Sequence, residues 1–257
     1  MSEEKINGIE NEIQFINYFN KKKIKELSPM HYSFLKDLFQ DIEDNDIIKC
    51  RKNNKPQKYD IFICINDKIK RISIKKGIKN SVHVERISDF IHFLIDNKIN
   101  KNIIIEYLKY HYADGTTNGK GAVRMSSIEY KKTHQDKINE INNAFNNINL
   151  INKATDKFVL KGNNSDENID AIIHGTVNDF VWILEKDIKN IISSQINVYS
   201  TAIHFGPLIV QPLDRCLNKN PLYEKKRCCV QIKWYNLYDN IIENMNSKYI
   251  KSKVLSD

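Results

Sequence analysis

The chain has 257 residues, and 40 Lys and Arg against 32 Asp and Glu give it a formal charge of +8. That length builds one large domain or a core carrying an insertion, and it excludes a short disulfide scaffold. The basic excess suits a polyanionic partner, but Lys, Asn and Ile dominate throughout, as in any protein written in AT-rich codons, so charge alone assigns nothing.

Residues 8–22 space Ile9, Ile13, Ile16 and Phe19 at helical intervals, with Phe15 widening the face, and predict a first helix. A second helix follows over 30–41, carrying Phe34, Leu35, Leu38 and Phe39. Residues 46–51 form a short β-branched run, and 53–56 a turn. Two strands, 59–65 and 69–75, flank Asn66-Asp67-Lys68 and read as a hairpin. Residues 82–97 read as a helix with Ile87, Phe90, Ile91, Leu94 and Ile95 on one side. Residues 102–108 (NIIIEYL) read as a buried central strand, because they are apolar and β-branched.

Beyond a Gly-rich loop at 113–121, helical stretches at 126–147 and 166–193 flank a short strand at 158–160. Strands at 197–210, broken at Gly206-Pro207, and at 227–234 precede a final helix. The expected division is a core over 1–112 and a helical insertion with C-terminal strands over 113–257. No run reaches the roughly 18 apolar residues of a membrane span. The opening MSEEKINGIENEI lacks a signal-peptide pattern, and the five Cys form no CxxC pair, so a soluble cytoplasmic protein with free thiols is expected.

The hairpin carries the chemistry. A tight turn at Asn66-Asp67 sets Ile65 opposite Lys68, Phe62 opposite Arg71 and Asp60 opposite Ser73. Alternation then puts Asp60, Ser73 and Lys75 on one sheet face and Ile61, Ile72 and Ile74 on the other. Read plainly, Asp60 and Lys75 form a cross-strand ion pair. Glu12 falls among Ile9, Ile16 and Phe19 on the first helix, where a carboxylate needs a cation or hydrogen-bond donors, and a salt bridge to Lys75 or Arg71 would meet that need.

On these residues the stretch 8–108 resembles the PD-(D/E)xK nuclease superfamily of restriction endonucleases, junction resolvases and related enzymes. The core order of that family is helix, three strands, helix, strand. Asp60, in Tyr59-Asp60, matches the family's first acid and Lys75 its lysine. Ser73 stands where a second acid is usual. Some restriction enzymes share this Ser-x-Lys form and take the missing carboxylate from the following helix, where Glu85 is on offer.

The resemblance implies an α/β restriction-endonuclease-like core, a mixed central sheet flanked by helices, with a helical and β-hairpin second half. It also implies a type II site-specific deoxyribonuclease acting on double-stranded DNA as a homodimer. Mg²⁺, with Mn²⁺ as substitute, would be held by Asp60 and Glu85 with Glu12 assisting, since phosphodiester hydrolysis needs a hard cation on carboxylate oxygens. Lys75 would orient or deprotonate the water, and Ser73 would hydrogen-bond a metal-bound water.

Lys76, Lys79, His83 and Arg86 surround the same end as candidate phosphate contacts. In the second half Gln231 and Lys233 share a strand face opposite Ile232 and Trp234, and Gln211 and Arg215 are of the types that read base edges. The loop at 115–121 lacks the GKS/T ending of a P-loop, which argues against a nucleotide cofactor and suggests a flexible arm closing on DNA. A repair or junction-resolving nuclease, a DNA-binding protein with a decayed nuclease core, and a protein-interaction module are the alternatives.

Overall fold

In the computed structural model, which describes residues 7–78, 80–165, 167–196 and 201–254 and the side chains up to residue 247, helix α1 (Gly8–Phe19) opens on a capping box. Asn7 accepts the Glu10 N–H at 2.9 Å, and the Glu10 carboxylate returns to the Asn7 N–H. Helix α2 (Pro29–Leu38) starts on a proline, whose missing N–H costs nothing in a first turn.

Strands β1 (Lys49–Lys52), β2 (Ile61–Ile65) and β3 (Lys68–Lys75) form an antiparallel meander. The β2–β3 turn places Asn66 and Asp67 at φ 48° and 61°, the conformation that matches strand twist and that Asn and Asp tolerate. The chain continues through β4 (Asn80–Arg86), α3 (Ile87–Asp96), α4 (Lys101–Tyr112), α5 (Ser127–Thr133), α6 (Gln135–Phe145) and α7 (Ile148–Ala154) into a π-helical turn, Thr155–Lys161. Then come β5 (Ala171–Thr176), β6 (Asp179–Leu184), α8 (Glu185–Ser194), β7 (Ile203–Phe205), β8 (Leu208–Pro212), α9 (Glu224–Arg227), β9 (Cys229–Trp234) and α10 (Leu237–Val254). No helix among the described residues is long and apolar enough to cross a membrane.

These elements form two compact units, the first from 1–80, 159–191 and 236–257, the second from 81–158 and 192–235. The first holds a mixed sheet in the order β1-β2-β3-β5-β6, in which only the β3–β5 pair is parallel. Ile61, Ile63, Ile72, Ile74, Ile173, Phe180 and Trp182 share a core with Phe15, Phe19, Phe34 and Leu35 of α1 and α2. Each such buried side chain contributes about 1.5–3 kcal/mol. Phe15 meets Phe180 edge-on at 5.4 Å, and the Trp182 indole donates to Asp37 at 2.9 Å.

The second unit carries the sheet β4-β9-β8-β7 with α3, α4 and α6. Its core includes Phe90, Tyr107, Phe145, Phe205 and Trp234, with Phe145 stacked on Phe205 at 4.7 Å.

Four expectations are corrected. Residues 82–97 begin as strand, because Val82-His83-Val84-Glu85 alternates and joins β9 edge to edge, and the helix starts only at Ile87. Residues 102–108 are helix: Asn100 caps α4 by accepting the Asn102 N–H, and Ile104, Tyr107, Tyr110 and His111 are buried at spacings of three and four. The strand beside β3 comes instead from 166–193, which holds β5 and β6 as well as α8. Val177 and Asn178 turn between two runs buried at Ala171–Ile173 and Trp182–Ile183. Residues 158–160 lie in the π-helical turn rather than a strand.

The division at 112 falls inside the second unit. The break at Gly206-Pro207 is present between β7 and β8, and residues 197–200 lie outside the described ones. The loop at 113–121 is braced rather than free. Asp114 accepts from the Thr116 N–H and hydroxyl, the Gly121 N–H and the Arg227 guanidinium, while Arg227 also donates to Gly119 O at 2.6 Å. A Cβ at Gly121 would fall 1.9 Å from Asp114 O.

The second unit also buries an ionisable histidine. His111 donates Nε2–H to Arg227 O at 2.6 Å, and its Nδ1 has no hydrogen-bond partner. Burial lowers its pKa to about 4, with the Arg215 and Arg227 cations adding to that and the Arg227 carbonyl opposing it. Between pH 6.5 and 4 the unfolded chain therefore binds the extra proton, so the stability from neutral His111 is complete above pH 6.5 and is lost as pH falls toward 4. At about 1.4 kcal/mol per pH decade this approaches roughly 3 kcal/mol. Urea unfolding measured across that window should show a steeper loss in the wild type than in His111→Gln, and equal slopes would contradict it.

Candidate active site at the β2–β3 hairpin

The turn at Asn66-Asp67 holds the register expected from the sequence: Ile65 lies opposite Lys68 and Phe62 opposite Arg71. One step past the last pair, the Asp60 N–H donates to Ile72 O at 2.9 Å, which brings Asp60 level with Ser73. Its carboxylate oxygen Oδ2 then accepts the Ile74 N–H at 2.6 Å and the Ser73 hydroxyl at 3.2 Å, and Lys75 Nζ stands 3.8 Å away. Lys75 Nζ also donates to Ile74 O at 3.3 Å. Ser73 is buried, whereas Asp60 and Lys75 remain partly open to solvent. A carboxylate held by a main-chain N–H, beside a lysine, keeps its orientation without a ligand present.

Two further residues join this group that the sequence reading passed over. Lys58, two positions before Asp60, has its pKa pulled down to about 7, first by burial and then by the Lys75 cation, with Asp60 opposing both. His174 lies beside Lys75 in the parallel β3–β5 register, so the two side chains share a sheet face, and its Nε2 donates to Gly77 O at 2.9 Å. An open cavity of about 720 Å³, lined in part by Lys76, His174, Thr176 and Tyr238, adjoins it. Lys58 carried a signal in its spacing from Asp60. His174 carried one only through the alternation of AIIHGT.

No protein-family model and no curated protein matches this chain by sequence. Among solved structures it is similar to the crystal structure of restriction endonuclease MspI in complex with its cognate DNA. That likeness has a TM-score of 0.52 and 14% identity and covers 87% of each chain. The fold is restriction-endonuclease-like. At that identity the likeness is one of fold, and the site stands on its own residues.

Glu12 does not pair with Lys75 or Arg71. It binds Lys52 Nζ at 3.1 Å, while Arg71 binds Glu167 and lies near Asp170. The buried face of α1 is turned from the expected one: Asn11, Phe15 and Phe19 are covered and Ile9 is 60% exposed, because aromatics four apart dock on Phe180 and Phe34.

Glu85 does not lie on a helix over the end of β3. Strand alternation turns it, with His83, into the interior of the second unit, where Lys157 Nζ is 3.0 Å and His83 Nε2 3.4 Å from its carboxylate. Burial pushes that carboxyl up, but the His83 contact and the Lys157 charge outweigh it and hold the pKa below the usual value.

Lys76 is exposed at the cavity, and Arg86 is exposed at the start of α3. Lys79 lies outside the described residues. Gln211 and Gln231 pair across β8 and β9, Nε2 to Oε1 at 3.1 Å, on the face that Lys233 shares by alternation, and Trp234 is buried on the other. Arg215 is taken out of reach of a base. It is buried with Nη1 donating to Tyr110 O at 2.7 Å and its guanidinium 4.9 Å from the Tyr110 ring.

The sequence resemblance implies a divalent cation at this group. No group of three or more His, Cys, Asp or Glu suited to a metal exists among the described residues. Mg²⁺ nevertheless binds through one or two carboxylates with water and substrate phosphate completing the shell, and the oriented Asp60 carboxylate fits that mode.

The electrostatic coupling within the site has a direct readout. Heteronuclear NMR of lysine side chains should show the Lys58 amine titrating near pH 7. Asp60→Asn should lower that value further and Lys75→Ala should raise it, as the signs of the two charges require. A Lys58 titration at the ordinary lysine value would refute the coupling.

Proposed function

We propose that the protein is a Mg²⁺-dependent endonuclease that hydrolyses double-stranded DNA, a site-specific deoxyribonuclease of the type II restriction kind. The observation that carries this reading is the Asp60–Ser73–Lys75 group, with Lys75 Nζ 3.8 Å from a carboxylate fixed by the Ile74 N–H. The fold likeness to MspI, a restriction endonuclease whose structure contains its cognate DNA, supports it.

In this reading Asp60 holds Mg²⁺, for which Mn²⁺ can substitute. The bound cation supplies polarisation of the scissile phosphate and acidification of a water. Lys75 orients that water and offsets charge developing on the phosphoryl oxygens. Ser73, a neutral hydroxyl, keeps the Asp60 carboxylate aimed rather than replacing a second acid. Glu12 and Glu85, each held by a lysine, are left out of the ligand set. Lys76 and Arg86 serve as backbone contacts, and the Gln211–Gln231–Lys233 face as a base-reading surface. Cutting both strands of a two-fold site calls for a homodimer.

A DNA-binding protein with a decayed nuclease core is the second reading, favoured by Ser73 standing where a second acid is usual and by the lack, among the described residues, of any group of three or more metal-ligating side chains. Purified protein incubated with unmethylated phage DNA should produce discrete fragments with Mg²⁺ and none with EDTA. Asp60→Ala and Lys75→Ala should each lower cleavage by about 10³-fold and Ser73→Ala by about tenfold. Salt-dependent binding without any cleavage would select the second reading.

A further inference from the structure

The connection between β8 and β9 has a construction that neither the hairpin site nor the core requires. Residues Cys216 to Tyr223 form a closed loop. The Cys216 thiol donates to Tyr223 O at 2.7 Å, the Lys219 N–H donates to Cys216 O at 2.8 Å, and Arg124 Nη1 donates to Cys216 O at 2.7 Å. Arg124 also holds Glu224 with both terminal nitrogens, at 3.1 and 2.9 Å, and Arg227 reaches the same carboxylate at 3.2 Å.

Within the loop Asn220 caps a single 3₁₀ turn, Pro221–Tyr223, and Cys216 and Lys219 sit at φ 48° and 54°. Non-glycine residues hold such φ values only where the surroundings fix them. The braced frame pushes apolar side chains outward. Leu222 is 83% exposed, Leu217 52% exposed, and Tyr223 is exposed between them and Lys226, whose Nζ lies 4.6 Å from its ring.

A single exposed leucine needs no explanation. Three large exposed apolar residues lie on one eight-residue loop, with the exposed lysines Lys219 inside it and Lys225 and Lys226 just after it in the chain. The two acids nearby are engaged, Glu224 by Arg124 and Arg227, and Asp214 by the Cys216 N–H at 2.8 Å. The loop therefore combines exposed apolar side chains with nearby lysines. That combination suits the nucleic-acid duplex, in which stacked apolar bases lie between two rows of phosphates.

We propose that this loop is a DNA wedge: Leu222, backed by Leu217, enters a base step and unstacks it while Lys219, Lys225 and Lys226 hold the flanking phosphates. The proposal deepens the duplex-DNA reading above and rests on it. Inserted apolar side chains of this kind kink and unwind DNA, and because unstacking costs least at the most deformable steps, the wedge adds shape-dependent selectivity.

The test needs no recognition sequence. Relaxed closed-circular plasmid is incubated with the full chain and a type IB topoisomerase in EDTA, which prevents cleavage on the reading above, and the topoisomers are resolved after deproteinisation. Wild type should shift the distribution in proportion to bound protein. Leu222→Ala should reduce that shift at least fivefold while plasmid affinity changes less than threefold and the thermal unfolding midpoint is unchanged. Replacing the three lysines with Ala should instead weaken binding and reduce the slope of log affinity against log salt by roughly 2.7.

A saturated wild-type complex with no topoisomer shift, or a shift that Leu222→Ala leaves intact, would overturn the wedge. So would Leu222 variants that change self-association in sedimentation and leave DNA behaviour unaltered, which would assign the tip to a protein partner. Phage-DNA cleavage with Mg²⁺, measured separately, keeps the two ideas apart. Cleavage without a shift removes the wedge alone, a shift without cleavage removes the nuclease reading alone, and absence of DNA binding removes both.

Discussion

The contact between Asp60 Oδ2 and the Ile74 N–H, 2.6 Å long, ties the start of β2 to the end of β3. It exists because two left-handed residues at Asn66 and Asp67 close the turn without an extra residue. Were the register to slip by one, Ser73 and Lys75 would pass to the apolar face and Ile72 and Ile74 to the polar one, which the packing of Ile72 and Ile74 against the helices forbids. The core of the first unit thus fixes the site. Burial on one sheet face decides which charges meet on the other.

That constraint also explains the character of the site. The Asp60 carboxylate is oriented by the Ile74 N–H and the Ser73 hydroxyl, with Lys75 Nζ 3.8 Å away and the Lys58 amine, its pKa pulled down to about 7, feeling both charges. The second unit uses charge differently. Arg227, Asp114, Arg124 and Glu224 lock loops together, and Arg215 is spent on Tyr110 and Ser127. Those contacts pin Asp114 and Arg124 to α9 and Arg215 to α4 and α5.

Much of the site was legible in the sequence because it is local. Thirteen positions separate Asp60 from Ser73, and strand alternation with a two-residue turn is enough to bring them together. Glu85 was misread for a physical reason. Val82-His83-Val84-Glu85 has one period as strand and another as helix, and only the presence of β9 alongside selects the strand. The run at 102–108 failed the same way in reverse, since three consecutive isoleucines favour strand by themselves, and the burial of Ile104, Tyr107 and Tyr110 overrode that preference.

What the sequence determined unaided is the hairpin, its register and the shared face of Asp60, Ser73 and Lys75, all consequences of backbone stereochemistry over sixteen residues. The tertiary structure alone decided which distant segment lies beside β3. A parallel neighbour cannot arrive through a short turn, and here it returns only at Ala171, after the whole stretch from β4 to α7. It also decided the fate of the spare acids. Whether Glu12 and Glu85 face a site or a lysine depends on Lys52 and Lys157, forty and seventy-two positions away, and no periodicity within a helix or strand encodes a partner at that range.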